Sequence, residues 1–145
     1  MSAKKISQQE VGFKIKSIRV LEKSVVFEAP EKISQDGINY QIAINVGQNK
    51  DTQSVSNTLA VLIKNSDSES IYASFKIQCE YEFLNFNDIF DGKETSANLS
   101  SQVIETLNII TIGTVRGIMF SELSGTWLQD EILPVIDPNS FKEQK

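Results

Sequence analysis

The sequence predicts an α+β domain: a four-stranded antiparallel sheet with one face covered by a long C-terminal helix. Two observations lead to this fold class. Apolar and polar residues alternate through the first two thirds of the chain, whereas apolar residues recur every three or four positions in the last third. Strands followed by a helix, in separate parts of the chain, are typical of α+β domains. A length of 145 residues is that of one domain with its own core.

The first predicted strand covers residues 11–27 and changes the phase of its alternation twice. Apolar residues stand first at odd positions, then at even positions, and then at odd positions again. A slip of one residue turns the side chains of a strand to the other face, so each change of phase predicts a β-bulge. We expect one bulge near Lys16 and Ser17 and a second near Glu22 and Lys23.

Three more segments have the strand pattern, and the last of them is the clearest. A polar stretch over residues 48–56 is expected to connect the second strand to the third. Because the connections are short and polar, we expect the strands to pair in chain order, as an antiparallel meander with one face toward the core. The three segments are residues 38–46, 59–63 and 71–83.

The cover for the sheet is predicted in the last third of the chain. Apolar residues recur at spacings of three and four from Ile112 to Leu123, which predicts a helix over about residues 108–123. Gly113 and Gly117 lie within this helix, and each costs about 1 kcal/mol relative to alanine. Two glycines four residues apart indicate either a helix face that another backbone approaches closely or a face turned toward the sheet.

The chain divides into a main body and two ends. We expect residues 1–10 to form a flexible N-terminus, residues 11–137 a single domain and residues 138–145 a short C-terminal tail. Pro134 and Pro138 exclude regular helix from the segment that follows the predicted helix.

The composition excludes several classes of function. The chain has 14 Lys and Arg residues against 19 Asp and Glu residues, and its net charge of −5 argues against nonspecific binding of nucleic acid. It contains no histidine, which removes Ser-His-Asp catalysis and the commonest zinc ligand. We therefore expect no enzyme activity, no cofactor and no metal.

Cys79 is the one cysteine of the chain, so it cannot form an internal disulfide. Together with an N-terminus that lacks the apolar core of a secretory signal, this indicates a cytoplasmic protein. The most apolar stretch, residues 107–120, is shorter than the ~20 residues that a membrane span needs, so no membrane insertion is expected. Cys79 itself is predicted on the buried face of its strand, where a free cysteine behaves as a small apolar residue.

Large apolar side chains cluster in two segments that the pattern leaves irregular, one after the fourth strand and one after the helix. Each of these side chains either packs in the core or lines an exposed apolar groove. A groove of this kind accepts an extended, unfolded polypeptide, here called a client, without a strong sequence preference. The candidate client-binding residues are Phe86, Ile89, Phe90, Trp127, Leu128, Ile132 and Leu133.

Two groups of residues resemble the SecB family of export chaperones. Residues 13–18 (FKIKSI) and 24–30 (SVVFEAP) are similar to the first strand of that family and the segment that follows it. Residues 115–118 (VRGI), 125–127 (GTW) and 133–136 (LPVI) are similar to its long helix, the turn after the helix and the next loop. The order and spacing of these segments carry the resemblance.

The resemblance implies an ATP-independent holdase, a chaperone that keeps unfolded polypeptides from aggregating, assembled as a homotetramer from two dimers. It implies client-binding grooves beside a crossover segment after the fourth strand and beside the segment after the helix. It also implies delivery of clients to the translocation motor SecA, with Glu28 and Glu80 as the expected contacts for such a partner. Gly113, Arg116 and Gly117 are the expected contacts between dimers.

Two other functions remain open beside export. SecB-like chaperones also guard the antitoxin of a toxin–antitoxin pair, in which case one dedicated partner should co-purify. The same fold could instead bind a small apolar ligand, which would require a closed pocket between sheet and helix. A general holdase, by contrast, should suppress the aggregation of a denatured client at stoichiometric ratio without nucleotide.

Overall fold

The computed structural model describes residues 12–30, 37–66, 70–84, 101–134 and 136. The predicted architecture, a four-stranded antiparallel sheet with a C-terminal helix on one face, is confirmed. The predicted ends 1–10 and 138–145 lie outside the described residues, as do the candidate client-binding residues Phe86, Ile89 and Phe90. The elements are strands β1 (Phe13–Val25), β2 (Ile38–Asn49), β3 (Ser54–Asn65) and β4 (Ile71–Phe83) and helix α1 (Ser101–Leu123).

The order of strands in the sheet is β1-β4-β3-β2, and every neighbouring pair is antiparallel. The expected meander is therefore wrong for β1, which lies beside β4 instead of β2. The connection between β1 and β2, residues 26–37, therefore joins the two edge strands of the sheet. Its 12 residues reach ~40 Å when extended, whereas the two strands lie only ~14 Å apart, three strand spacings. The sheet is a Greek key, in which one strand returns by a long connection to lie beside the far end of a hairpin series.

β1 contains the two bulges that the changes of phase predict. Its pairing with β4 shifts by one residue at Lys16 and again at Leu21. The first bulge, at Lys16, is at its predicted place. The second, at Leu21, comes one residue before its predicted place. Because of these two shifts, Ile15, Ile18 and Val20 all lie on the helix side of the sheet, each opposite a buried residue of β4.

The connection between β2 and β3 is shorter than the sequence predicts. Gln48 and Asn49 already pair with the start of β3, so residues 50–53 form the turn instead of residues 48–56. Polar residues continue the ladder because strand pairing uses backbone groups, which every residue supplies. The side chain of Asn49 accepts the backbone N–H of Asp51 at 2.9 Å and so stabilises the turn.

Helix α1 begins at Ser101, earlier than the predicted start at residue 108, and ends at Leu123 as predicted. It packs over β3 and β4, the two central strands, and largely leaves β1 and β2 without a helix above them. Each large apolar side chain buried in this interface stabilises the fold by ~1.5–3 kcal/mol. The fully buried side chains include Leu107, Val115, Met119 and Leu123 from the helix and Leu59, Val61, Ile63, Phe75, Ile77 and Tyr81 from the sheet.

Two pairs of polar side chains meet in the buried interface between α1 and the sheet, and the Tyr81 hydroxyl also lies 3.4 Å from the carbonyl oxygen of Leu107. The Asn57 side-chain amide donates to Asn108 Oδ1 at 2.9 Å, and the hydroxyl oxygens of Tyr81 and Thr111 lie 2.7 Å apart. Burial raises the pKa of Tyr81, so its hydroxyl remains protonated. Polar groups in an apolar interface have few alternative partners, and these two contacts therefore fix the position of the helix along the sheet.

β4 carries Cys79 on its buried face, as the alternation predicts. Burial raises the pKa of the thiol above its ordinary value. The thiol is therefore protonated at neutral pH, as expected for a cysteine that fills space in a core.

Helix α1 is apolar over most of its surface. Gln102–Leu123 is long and apolar enough to pass for a membrane span. An 18-residue window within it has a mean hydropathy of 1.4, and 33% of that window is buried in this fold. This stretch is longer than residues 107–120, the apolar stretch that was expected to be too short for a membrane span. One side of the helix packs on the sheet, with Asn108 and Thr111 paired there, and the remaining apolar surface faces away from the sheet.

Candidate client-binding surface

Residues 124–134, here called the strap, follow α1 and fold back over the sheet. The turn contains Gly125 at φ 82°, a left-handed conformation that favours glycine after a helix. The hydroxyl and the backbone N–H of Thr126 both donate to the carbonyl of Leu123, at 2.7 and 3.0 Å. The Gly-Thr pair of the SecB-like motif thus ends the helix and reverses the chain.

Arg116 holds the end of the strap against the helix. Its Nε donates to the carbonyl of Leu133 at 3.0 Å, and its Nη2 donates to the carbonyl of Pro134 at 2.9 Å. A guanidinium presents its donors in a fixed plane, which suits two carbonyls of successive residues. The side chain that was expected between dimers is therefore engaged within its own chain.

Trp127 joins the strap to the end of β1. Its indole Nε1 donates to the backbone carbonyl of Val26 at 2.7 Å. Its ring meets the ring of Tyr72 edge-on, at a centroid distance of 5.0 Å. The side chain is only partly buried, so the indole is both held in place and accessible to a client.

Tyr40 of β2 holds the strap from the other side. Its hydroxyl donates to the Glu131 carboxylate at 2.8 Å and lies 3.4 Å from the carbonyl oxygen of Ile132. Partial burial, followed by the hydrogen bond to Glu131 and the charge of that carboxylate, raises the pKa of Tyr40. The strap therefore spans the space between α1 and β2 that the helix leaves open.

The candidate residues of the strap are of two kinds. Leu128 and Leu133 are each 1% exposed and belong to the core, so the expectation that they line an open groove is wrong. Ile132 is 54% exposed, and Trp127 is partly exposed. A segment without a repeating backbone geometry has no apolar period, so its sequence does not distinguish core anchors from surface residues.

β2 forms the edge of the sheet next to the strap and has an unusual composition for an edge strand. None of its 12 residues is charged, and its pairing with β3 has no irregularity. β1, at the other edge, carries five charged residues and two bulges, which are features that normally prevent further pairing. The helix-side residues of β2 are only partly buried; they are Ile38, Tyr40, Ile42, Ile44 and Val46.

β1 carries an apolar strip that the sequence reasoning did not single out. Ile15, Ile18 and Val20 point to the helix side but remain 43%, 47% and 46% exposed, because α1 packs mainly over β3 and β4. An ion pair of 3.1 Å between Lys23 and Glu122 joins β1 to the end of α1. Alternation shows which face a residue takes, but it does not show whether anything covers that face.

The outer face of α1 is open in the described part of the chain. Gly113 and Gly117 are exposed, and a Cβ at either position would meet nothing within 4 Å, so the alternative that both face the sheet is wrong. Ile109 and Phe120 are 55% and 57% exposed. The glycines leave room for a second backbone to come close to this face.

The outer face of the sheet has mixed charge rather than the acidic character expected for contact with a SecA-like partner. Glu80 accepts hydrogen bonds from the hydroxyls of Ser54 and Ser17 at 2.8 and 3.2 Å. The Ser54 hydroxyl is the main cause that lowers the pKa of Glu80, and the charge of Arg19 contributes in the same direction. Glu28, beyond the end of β1, is exposed.

No protein-family model matches the chain, and no curated protein matches its sequence. Among solved structures, the chain is similar to a SecB-like chaperone from Mycobacterium tuberculosis in complex with a ChAD peptide from the HigA1 antitoxin. The TM-score is 0.57 at 13% sequence identity, over 86% of this chain and 89% of that chain. Taken with the four-stranded sheet and the helix packed on it, this likeness shows that the chain has a SecB-like fold.

Proposed function

We propose that this protein is a cytoplasmic chaperone that binds unfolded polypeptide without nucleotide and without catalysis. One observation carries the proposal: the strap holds the exposed Ile132 beside β2, an edge strand that has no charged residue, and holds the partly exposed Trp127 at the end of β1. A surface that combines accessible apolar side chains with the edge strand of the described sheet suits an extended chain.

The edge of β2 supports binding that tolerates many sequences. An added strand is held by its backbone N–H and C=O groups, which do not depend on the client's side chains. Every second side chain of that strand would lie beside the partly buried apolar row of β2, since side chains in strands alternate between faces. These properties match the requirement that a chaperone accept many different clients.

A small apolar ligand is not favoured by the interior of the protein. The space between α1 and the sheet is occupied by side chains that are 0–1% exposed, among them Val115, Met119, Phe75 and Ile77. Close-packed interiors of this kind leave no room for a ligand without rearrangement.

For the client itself we propose an antitoxin segment rather than a precursor for export. The M. tuberculosis chaperone with the same fold holds a peptide from an antitoxin, which supports a dedicated polypeptide partner. Delivery to SecA would require an acidic contact surface. Glu80, the residue expected to supply it, is instead hydrogen-bonded within the sheet and has Arg19 nearby.

We further propose that the protein acts as a homotetramer. The β1 strip and the outer face of α1 are two separate apolar surfaces, and a dimer of dimers needs two different interfaces. Exposed side chains such as Ile18 on β1 and Phe120 on α1 are characteristic of surfaces that another protein covers.

The experiment that tests the chaperone function measures the aggregation of a chemically denatured client by light scattering. We expect suppression at stoichiometric ratio, with no effect of ATP. Ile132→Ser should weaken the suppression. Leu21→Ser is the matched control, because Leu21 is similarly exposed (48%) but lies on β1, at the other edge of the sheet. No suppression by the wild-type protein, or equal suppression by both variants, would contradict the proposal.

A second experiment identifies the client. The tagged protein is purified from its native host, and the bound polypeptides are quantified by mass spectrometry. A single partner at stoichiometric amount supports the antitoxin proposal. A broad set of exported precursors at low occupancy would contradict it and leave the general chaperone function in place.

A further inference from the structure

Arg116 is the only basic residue of α1, and both of its hydrogen bonds go to carbonyls at the end of the strap. It lies seven residues before the end of the helix at Leu123, which corresponds to ~10 Å along the axis. The strap must run back along the helix by this distance before Leu133 and Pro134 meet the guanidinium. Arg116, together with the buried side chain of Leu133, therefore fixes the end of the strap relative to the helix.

Other contacts hold the rest of the strap. Trp127 bonds the carbonyl of Val26 near its start, and Glu131 accepts a hydrogen bond from Tyr40 near its middle. The exposed Ile132 lies between the contact of Tyr40 and the two carbonyls that Arg116 bonds. Removal of the guanidinium would leave this part of the strap held by the buried side chain of Leu133 and by the contact with Tyr40, with both carbonyls released.

We propose that Arg116 is a positioning residue for client binding: it holds the end of the strap so that Ile132 faces the client beside β2. The inference rests on the proposed function, because it assigns a role within that surface. A strap that is fixed before the client arrives lowers the entropy cost of binding. Loss of Arg116 thus weakens the binding of a client that Arg116 itself does not contact.

Arginine has two properties that suit this role. Its guanidinium carries several N–H donors, so one side chain can bond the carbonyls of both Leu133 and Pro134. Its donors are held in one plane and bond two acceptors together, whereas the ammonium of lysine is a point charge on a flexible chain. We therefore expect Arg116→Lys to keep part of the client affinity that Arg116→Ala loses.

The test uses Trp127, the only tryptophan of the chain, as a reporter for the strap. Arg116→Ala should shift its fluorescence to longer wavelength and increase its quenching by acrylamide in the absence of client. The affinity for a fluorescently labelled unfolded client, measured by anisotropy, should fall about tenfold. Lys23→Ala is the matched control: it also removes one positive charge that contacts α1, through Glu122, but its contact joins the helix to β1 instead of to the strap.

Each outcome decides the proposal. Unchanged quenching of Trp127 in Arg116→Ala overturns the positioning role, whether or not client affinity falls, since a loss of affinity alone would mean that Arg116 touches the client. Quenching and affinity that change equally in Lys23→Ala also overturn it. If Arg116→Ala does not unfold cooperatively, Arg116→Gln, which keeps one amide donor, replaces it with the same expected direction. Failure of the wild-type protein to bind any client refutes the proposed function. The quenching of Trp127 is measured without client, so it tests the position of the strap separately from that function.

Discussion

Truncation of Leu128 to alanine tests whether the strap is anchored in the core. Leu128 is 1% exposed and belongs to the main cluster of buried side chains. Leucine-to-alanine changes at buried sites cost about 2–5 kcal/mol, through lost burial and the cavity that remains, and we expect about 3 kcal/mol here. For a chain of 145 residues, the entropy of unfolding is about 0.3 kcal/mol per degree, so the Tm should fall by about 10 °C.

Ile132→Ala is the control, because Ile132 lies in the same strap but is 54% exposed. It should change the stability by less than about 1 kcal/mol, a shift of less than about 3 °C in Tm, and act on client affinity instead. Thermal unfolding followed by circular dichroism and calorimetry measures both variants. A fall of less than about 3 °C for Leu128→Ala would refute the reasoning, since it would mean that the strap is not packed into the core.

Three further predictions concern the helix interface, the outer face of the sheet and assembly. Asn108→Ala removes the acceptor of the buried Asn57 amide and should cost about 1–3 kcal/mol in urea unfolding, whereas leucine at both positions should cost less. The pKa of Glu80 is lowered by folding, so its contribution to stability is present above the unfolded pKa of about 4.5 and is lost as the pH falls through the folded pKa. The difference in Tm between the wild-type protein and Glu80→Gln should therefore shrink in acid, and a constant difference would contradict this. Aspartate at both Ile109 and Phe120 should reduce the mass measured by light scattering without loss of helical circular dichroism; an unchanged mass would exclude the outer face of α1 as an interface.

Local patterns in the sequence were sufficient for the number, type and order of the elements, although the helix and β3 begin earlier than those patterns predict. Alternation with period two marks β2 and β4, and its two changes of phase in β1 correspond to the bulges at Lys16 and Leu21. The burial of Cys79 also follows from its place in the alternation. These features depend on which face of a strand or helix each side chain takes, and this is a property of neighbouring residues alone.

Only the tertiary structure decided three features of this protein. They are the place of β1 beside β4, the burial of Leu128 and the exposure of Ile18. The edge at which a strand pairs depends on where a long connection leads, and short-range patterns do not contain that information. Burial in the strap depends on the distance to α1 and β2, and on the bonds that Arg116 and Tyr40 make across a long separation in sequence. The sequence alone thus determined the elements and their buried faces, whereas the candidate client-binding surface depends on what covers those faces, which is settled only when all the elements are packed together.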